Sequence, residues 1–194
     1  MAIVETNLIP DGIAAAPGLA LQSEPTTGFF KKAGSRLGIA IAGVEVGVIG
    51  TAGVEGGVQV GELTFTETAG AGTYTGTIAM PAGSRIVDIG CDGQALWNSA
   101  GACALIVGDD TDPDGFFTTT DLKATDLLAG EINNLEHPGG KAGAYIVSEQ
   151  RNLYSASARN IVAVITIASG AGTLGRTRVY VAYAVPVTTV VAKV

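Results

Sequence analysis

A run of six residues carries the one local motif in the sequence that has a chemical mechanism. The run DTDPDG at residues 110–115 matches the opening of a calcium loop, in which alternate carboxylates and a turn glycine surround a hard cation. The twelfth position, where that pattern has a glutamate, is Asp121. The flanking runs LIVG and FFTTT are typical of strands rather than of paired helices. We therefore predict a solvent-exposed turn, with a cation held by Asp110, Asp112, Asp114 and Asp121 as the alternative.

The sequence offers only one histidine that could act as the base in nucleophilic catalysis. Its single histidine, His137, lies in the turn sequence HPGG, whereas a serine or cysteine nucleophile needs a base that a third group orients. The carboxylate pairs Asp88/Asp92 and Asp121/Asp126 cannot be placed across a cleft from sequence alone. We predict that the protein is not an enzyme and that it uses no cofactor.

Three further features have both a functional and a structural interpretation. The glycine cluster GAGTLG at residues 170–175 precedes the strand-like run RTRVYVAYA, and a phosphate-binding loop would precede a helix, so we predict a hairpin turn. Trp97 could contact a ligand if it were exposed, but packing at the end of a β-sandwich core is the favoured interpretation. Arg176 and Arg178 share one strand face, which is either solvated or paired with an acidic neighbour.

The composition excludes some partners and suggests others. The 194-residue chain has a net charge of −7 and no basic run, so nucleic acid is not an expected partner. Charged residues make up only 15% of the chain, but no apolar run reaches the roughly 20 residues that span a bilayer. The start of the sequence has no basic, apolar secretion signal. We expect neither membrane insertion nor secretion, and we interpret the low charge as surface buried in an assembly.

The pattern along most of the chain is that of strands separated by glycine and proline turns. We predict an all-β fold of roughly eight to ten strands, with a sandwich, jelly-roll or small-barrel body at residues 62–194. Residues 144–147 are assigned to a strand, and only residues 121–128 could form a turn or two of helix. Cys91 and Cys103 lie in apolar strand-like runs and are expected to be buried reduced thiols, with a cross-strand bridge as the alternative.

Residues 1–61 have a different residue pattern from that of the predicted body. Residues 1–22 are expected to form either an extended arm that docks on a partner or a disordered tail. A small β-hairpin module at residues 23–50 follows. In that module Leu37, Ile39 and Ile41 alternate with glycine and alanine, which gives one bulky face and one nearly bare face. The predicted interaction residues are Phe29, Phe30, Leu37, Ile39 and Ile41. The valine- and glycine-rich stretch at residues 44–61 is predicted to form thin strands in an intertwined oligomer, with a loose connector as the alternative. The tail at residues 187–194 is predicted to add as an edge strand.

Two blocks of sequence resemble structural proteins of tailed-bacteriophage virions. SEPTTGFF followed by GSRLGIAIAGVEV, within residues 17–50, resembles a short β module near the start of many phage fibre and head-surface proteins. The block at residues 73–186, with TYTGTIAMPAGSRIVDI, LIVGDDTDPDGFFTTTDLKATDLLAGE and GRTRVYVAYAVP, is similar to virion proteins that include capsid decoration, or cement, proteins.

The resemblance implies a homo-oligomer, expected to be a trimer, that binds the major capsid protein on the outer surface of the head after assembly in the host cytoplasm. The implied function is to stabilise the shell mechanically. The alternative is a fibre or receptor-binding protein, which needs an exposed ligand site. A weaker alternative is a calcium-dependent carbohydrate-binding module.

Overall fold

The computed structural model describes residues 12–13, 15–32, 36–42, 44–50, 53–55, 57–70, 72–148, 152–170 and 172–185. The chain divides into two compact units. The described part of the first ends at Gly57, and the second spans Val58–Val185, where the sequence placed the boundary between residues 61 and 62. Most of the predicted N-terminal arm and the whole tail from residue 187 lie outside the described residues.

In the first unit, the residues that the structure describes form one five-stranded antiparallel sheet, the small sheet. Its strands follow the chain order, so each one pairs with the next. They are β1 (Leu19–Leu21), β2 (Glu24–Lys32), β3 (Arg36–Ile41), β4 (Val44–Gly50) and β5 (Gly53–Glu55). The expected hairpin is the β2–β3 pair, which runs from Gly28 opposite Ala40 to Lys32 opposite Arg36. The glycine-rich stretch that follows extends this hairpin with β4 and β5 of the same chain, so the module is larger than a hairpin.

The described residues of the second unit, the body, form eight strands and one short helix. The elements are β6 (Val58–Thr66), β7 (Gly72–Met80), β8 (Arg85–Ala95), β9 (Cys103–Asp109), β10 (Phe117–Asp121), β11 (Ile132–Asn134), α1 (Ala144–Val147), β12 (Arg159–Ile167) and β13 (Arg176–Ala184). No helix among the described residues has the length and apolar character needed to cross a membrane.

The strands of the body form two four-stranded antiparallel sheets. One has the order β11-β8-β13-β6 and the other β10-β9-β12-β7. Chain neighbours therefore alternate between the sheets, except that β9 and β10 pair directly. This strand order is that of the jelly roll, an eight-stranded double sheet built from two Greek keys. The predicted all-β fold with a jelly-roll-like sandwich is confirmed.

Side chains from both sheets form a single core in the body. Alternate residues of β12, from Ile161 to Ile167, are almost fully buried while the residues between them are more exposed, as expected for a strand with one face on the core. The largest fully buried side chains of the body are those of Trp97, Phe116, Phe117, Met80, Ile86, Ile89, Leu105, Leu122, Leu127, Ile161 and Ile165.

Three local predictions are wrong. Residues 144–147 form α1 instead of a strand, with the Tyr145 ring packed edge-on against Phe116 at 5.1 Å between ring centroids. A run of four mostly apolar residues is too short for its periodicity to distinguish a helix from a strand. The packing of Tyr145 on Phe116 therefore determines the local structure. Residues 122–127 form turns without a helix. The hairpin turn predicted at residues 170–175 is also wrong, because β12 and β13, the strands on either side, lie in different sheets.

Both cysteines are buried free thiols, as predicted. Burial raises the pKa of Cys91 to about 12, and the neighbouring Asp92 carboxylate adds to that effect. Burial also raises the pKa of Cys103 to about 12. Because the thiolate is the reactive form, both residues act as small apolar core side chains.

Candidate docking surface

One face of the small sheet presents a row of large apolar side chains to solvent. Leu19 pairs with Phe29, Phe29 pairs with Ile39, and Leu37 pairs with Ile49. Directly paired residues lie on the same side of a sheet, and alternate residues of one strand do too. This side of the sheet, the small-sheet face, carries the large apolar side chains of Leu19, Phe29, Leu37, Ile39, Ile41 and Ile49. Lys31, which pairs with Leu37, lies on the same face.

The exposure of this face is unusual for side chains of this type. The exposed fractions are 54% for Ile41, 50% for Leu19, 40% for Ile49 and 39% for Phe29. Leu37 and Ile39 are half-buried. Single exposed apolar residues are ordinary, but a contiguous group on one sheet face is typical of a surface that contacts another molecule.

Phe30 is set apart from the other four predicted interaction residues. It lies on the opposite face of the small sheet and is only 5% exposed. Its ring covers Gly38 so closely that a Cβ added to that glycine would lie 2.3 Å from Cζ of Phe30. The nearly bare face predicted for β3 is therefore filled within the chain by the Phe30 ring, and Ala40 and Val48 are fully buried there.

The DTDPDG loop has the internal hydrogen bonds of a turn. The backbone carbonyl of Asp112 accepts the N–H groups of Asp109 and Gly115. The carboxylate Oδ1 of Asp109 accepts the N–H groups of Thr111 and Asp112 at 2.9 and 3.0 Å. Asp109 precedes the motif and was not singled out from the sequence, although it is the residue that organises the loop.

Of the four carboxylates of the calcium alternative, Asp110 and Asp121 bond to other groups, whereas Asp112 and Asp114 bond to each other. Oδ2 of Asp110 accepts the Asn160 amide at 3.3 Å. Oδ1 of Asp121 accepts the N–H groups of Lys123 and Ala124. Partial desolvation raises the pKa of Asp112, and a hydrogen bond to the Asp114 side chain raises it further. Within the described ranges, no group of three or more histidine, cysteine or acidic residues could hold a metal ion.

The residues considered for catalysis are engaged in structural contacts. Asp88 accepts the Tyr180 hydroxyl at 2.9 Å, and Oδ2 of Asp126 accepts the Asp121 N–H at 2.7 Å. His137 lies in an exposed turn, where its backbone N–H bonds to the Asn134 side chain.

Arg178 and Trp97 also have internal roles, whereas Arg176 is exposed. Nε of Arg178 donates to Asp92 at 2.7 Å, and its guanidinium reaches the exposed Glu62 at 3.6 Å. Trp97 is 1% exposed and its ring packs edge-on against Tyr74. The predicted core position of Trp97 is confirmed, which removes it as a ligand contact.

A buried glutamate fastens one end of the body, and sequence analysis did not identify it. Glu67 follows β6 and is 2% exposed. Its carboxylate accepts the N–H groups of Asn98, Ser99 and Gly175 at 2.9–3.0 Å. Burial alone would raise the pKa of Glu67, but these backbone donors outweigh it and lower the pKa. One side chain thereby joins the loop after β6, which contains Glu67, to the loop of Asn98 and Ser99 and to the loop that ends at Gly175.

Comparisons with known proteins give similarities of structure only. No family model and no curated protein matches the chain. A chain in the "Acidic stable capsid structure of Helicobacter pylori bacteriophage KHP30" is 17% identical, with a TM-score of 0.45 over 67% of this chain and 89% of that chain. A chain in the "Cyanophage Pam1 capsid asymmetric unit" is 21% identical, with a TM-score of 0.44 over 68% and 87%. A chain in the "Capsid of Ralstonia phage GP4" is 18% identical, with a TM-score of 0.43 over 70% and 88%. Scores of this size do not establish a shared function.

Proposed function

We propose that this chain is a structural protein of a tailed-phage virion, and specifically a decoration protein that binds the outer surface of the head. In this role the small-sheet face docks on another virion subunit. The partner is the major capsid protein. The observation that carries the proposal is the exposed apolar row on the small sheet, since the described part of the chain offers no comparable set of catalytic groups.

The sequence resemblance supports the same role. The fibre and head-surface module at residues 17–50 corresponds to β1–β4, which carry the small-sheet face. The block at 73–186 corresponds to the jelly roll from β7 onward. A net charge of −7 favours the outer surface over the DNA-facing surface, because phosphate repels an acidic protein.

The proposed action is mechanical. A protein that binds the assembled shell but not its separated subunits stabilises the assembly by mass action. Full burial of one isoleucine, leucine or phenylalanine side chain contributes roughly 1.5–3 kcal/mol. Several such side chains on one face would make separation of neighbouring capsomers costly without any chemical reaction.

Replacing Ile41 and Ile49 together by threonine is expected to weaken binding to the shell by about 30-fold, because each change removes about 1 kcal/mol of apolar burial. Threonine keeps the β-branched shape that strands favour. Binding would be measured by co-sedimentation of the purified protein with phage heads stripped of it, over a range of protein concentrations.

The matched control is the double replacement of Val58 and Val60 by threonine. These valines lie on β6 of the body and are 60% and 64% exposed, so the chemical change is similar but lies in the other unit. The control is expected to bind like the unaltered protein. Equal weakening by both pairs, or unchanged binding of the Ile41/Ile49 variant, would contradict docking through the small-sheet face.

We further propose that the protein is a homotrimer, because sites at the three-fold positions of a shell require three copies. Light scattering on the purified protein is expected to give three times the chain mass of 19.4 kDa. A single-chain mass at all accessible concentrations would contradict self-association.

A further inference from the structure

A polar cavity of about 430 Å³ opens in the body near the DTDPDG loop. Its walls come from the end of β9, from α1, from residues 152–158 and from the start of β12. This end of the sandwich is opposite the end that Glu67 fastens, since Asp109 ends β9 and Cys103 begins it. The volume lies within the range of small-ligand pockets.

Two buried charges that neutralise each other form one side of the cavity. Oδ2 of Asp109 lies 3.4 Å from Nη1 of Arg159, and the two side chains are 9% and 12% exposed. Oδ1 of Asp109 also accepts the Tyr145 hydroxyl at 3.0 Å. Burial raises the pKa of Tyr145 to about 12, and its bond to Asp109 contributes, so the hydroxyl stays protonated. This arrangement fixes polar groups without leaving a net charge on this side.

The same ion pair also holds the next segment of the cavity wall. The backbone carbonyl of Asn152 accepts Nη2 of Arg159. Asn152 has φ of 59°, a left-handed conformation that asparagine adopts more readily than most other residues with a side chain. The Arg159 guanidinium therefore connects Asn152 to the wall that Asp109 and Tyr145 form.

An exposed aromatic side chain stands at the mouth of the cavity. Tyr154 lines it and is 61% exposed. The cavity is also lined by Ser155, Ser157, Asp110 and Thr111. The cavity therefore combines an accessible ring with several hydroxyl and carboxylate groups.

We propose that this cavity binds a neutral sugar, with the ring of Tyr154 packed on a sugar face and the surrounding polar groups bonded to its hydroxyls. An anion is disfavoured because Asp109 already neutralises Arg159 and Asp110 adds a negative charge. A metal ion lacks ligands, since the described residues bring no three suitable side chains together. An apolar ligand would cover the hydroxyl and carboxylate groups of the wall without offering them hydrogen bonds. A neutral polyhydroxylated ring offers hydrogen bonds to the lone pairs and hydroxyl groups that the internal contacts leave available.

This site is independent of the proposed docking function. The small-sheet face and Tyr154 belong to different units of the chain, so loss of one activity does not require loss of the other. A sugar-binding cavity would give a head-surface protein a second partner, a glycan carried by a cell or another surface.

Titration of the isotope-labelled full-length protein with glucose, galactose, mannose, rhamnose and N-acetylglucosamine tests the proposal by amide chemical shifts. At least one sugar is expected to give saturable shifts. The Tyr154→Ala variant should bind that sugar about tenfold more weakly, whereas Tyr154→Phe, which keeps the ring, should bind nearly as well as the unaltered protein. Added chelator should leave binding unchanged.

The control is Leu174→Ala, because Leu174 is 65% exposed on a loop elsewhere in the body, and it should bind sugar normally. Each variant is first checked for an unchanged melting temperature. Absence of saturable shifts with all five sugars would overturn the proposal. So would unchanged binding by Tyr154→Ala, equal weakening by Leu174→Ala, or loss of binding on chelation.

Discussion

Replacing Glu67 by alanine is expected to lower the free energy of unfolding by about 4 kcal/mol, because it leaves three backbone N–H groups, two buried and one part-buried, without an acceptor at about 1–3 kcal/mol each. The donors belong to Asn98, Ser99 and Gly175, which lie in two different loops. Replacement by glutamine keeps one acceptor oxygen and should lower the free energy of unfolding by about 2 kcal/mol. Chemical denaturation followed by tryptophan fluorescence measures both values.

The same carboxylate predicts a pH dependence of stability. The pKa of Glu67 in the folded protein lies below its ordinary value of 4.5. Its contribution is therefore fully present above the unfolded pKa and is lost as the pH falls through the folded pKa. Stability of the unaltered protein should decline on acidification below about 4.5, and the Glu67→Gln variant should decline less steeply over that range.

Glu62→Gln is the matched control, because Glu62 lies on the preceding strand but its side chain is 58% exposed. Its ion pair with Arg178 is a surface pair, and its replacement should change stability by no more than about 0.5 kcal/mol. An equal decrease in the free energy of unfolding for Glu67→Gln and Glu62→Gln would contradict the proposed fastening role of Glu67. So would a Glu67→Gln variant whose stability declines below about pH 4.5 as steeply as that of the unaltered protein.

Replacing Trp97 by alanine is expected to cost about 4 kcal/mol of unfolding free energy, as for other large aromatic side chains removed from a core. Its indole N–H donates to Oγ1 of the buried Thr177 at 2.8 Å, and its ring meets Tyr74 edge-on at 5.6 Å between centroids. Gly175 packs directly under the indole, where an added Cβ would lie 2.4 Å from ring atoms. Neighbouring groups therefore have little freedom to fill the space.

The replacement Trp97→Phe separates the two contributions. Phenylalanine keeps an aromatic ring but leaves the Thr177 hydroxyl without its donor, so a loss of about 2 kcal/mol is expected. The adjacent Leu96 is 43% exposed, and Leu96→Ala should cost less than about 1 kcal/mol. Unfolding would be followed by circular dichroism in all three variants. A Trp97→Ala protein as stable as Leu96→Ala would show that the indole does not fasten the core.

The sequence predicts those features that depend on strand alternation. Leu37, Ile39 and Ile41 share one face because a strand has a period of two. The same rule places the adjacent Phe29 and Phe30 on opposite faces, so the separation of Phe30 from the docking residues could also have been predicted. Likewise Glu67 continues the inward positions of Leu63 and Phe65, a polar residue at a core position that signals a buried carboxylate.

The remaining features depend on contacts between distant parts of the chain. The N–H groups that Glu67 accepts come from residues 31, 32 and 108 positions away, and no local pattern identifies them. A sandwich and a jelly roll share the same alternation, so strand order had to come from the structure. The cavity beside Tyr154 joins residues of β9, α1 and β12, and the loop motif marked only one part of its rim.

The most direct test of the proposed role is to add the purified protein to phage heads stripped of it and to image the particles by electron cryomicroscopy. The proposal predicts new density at the three-fold positions over the whole outer shell, with the small sheet against the major capsid protein. Density confined to one vertex or to the tail, or no added density at all, would contradict it.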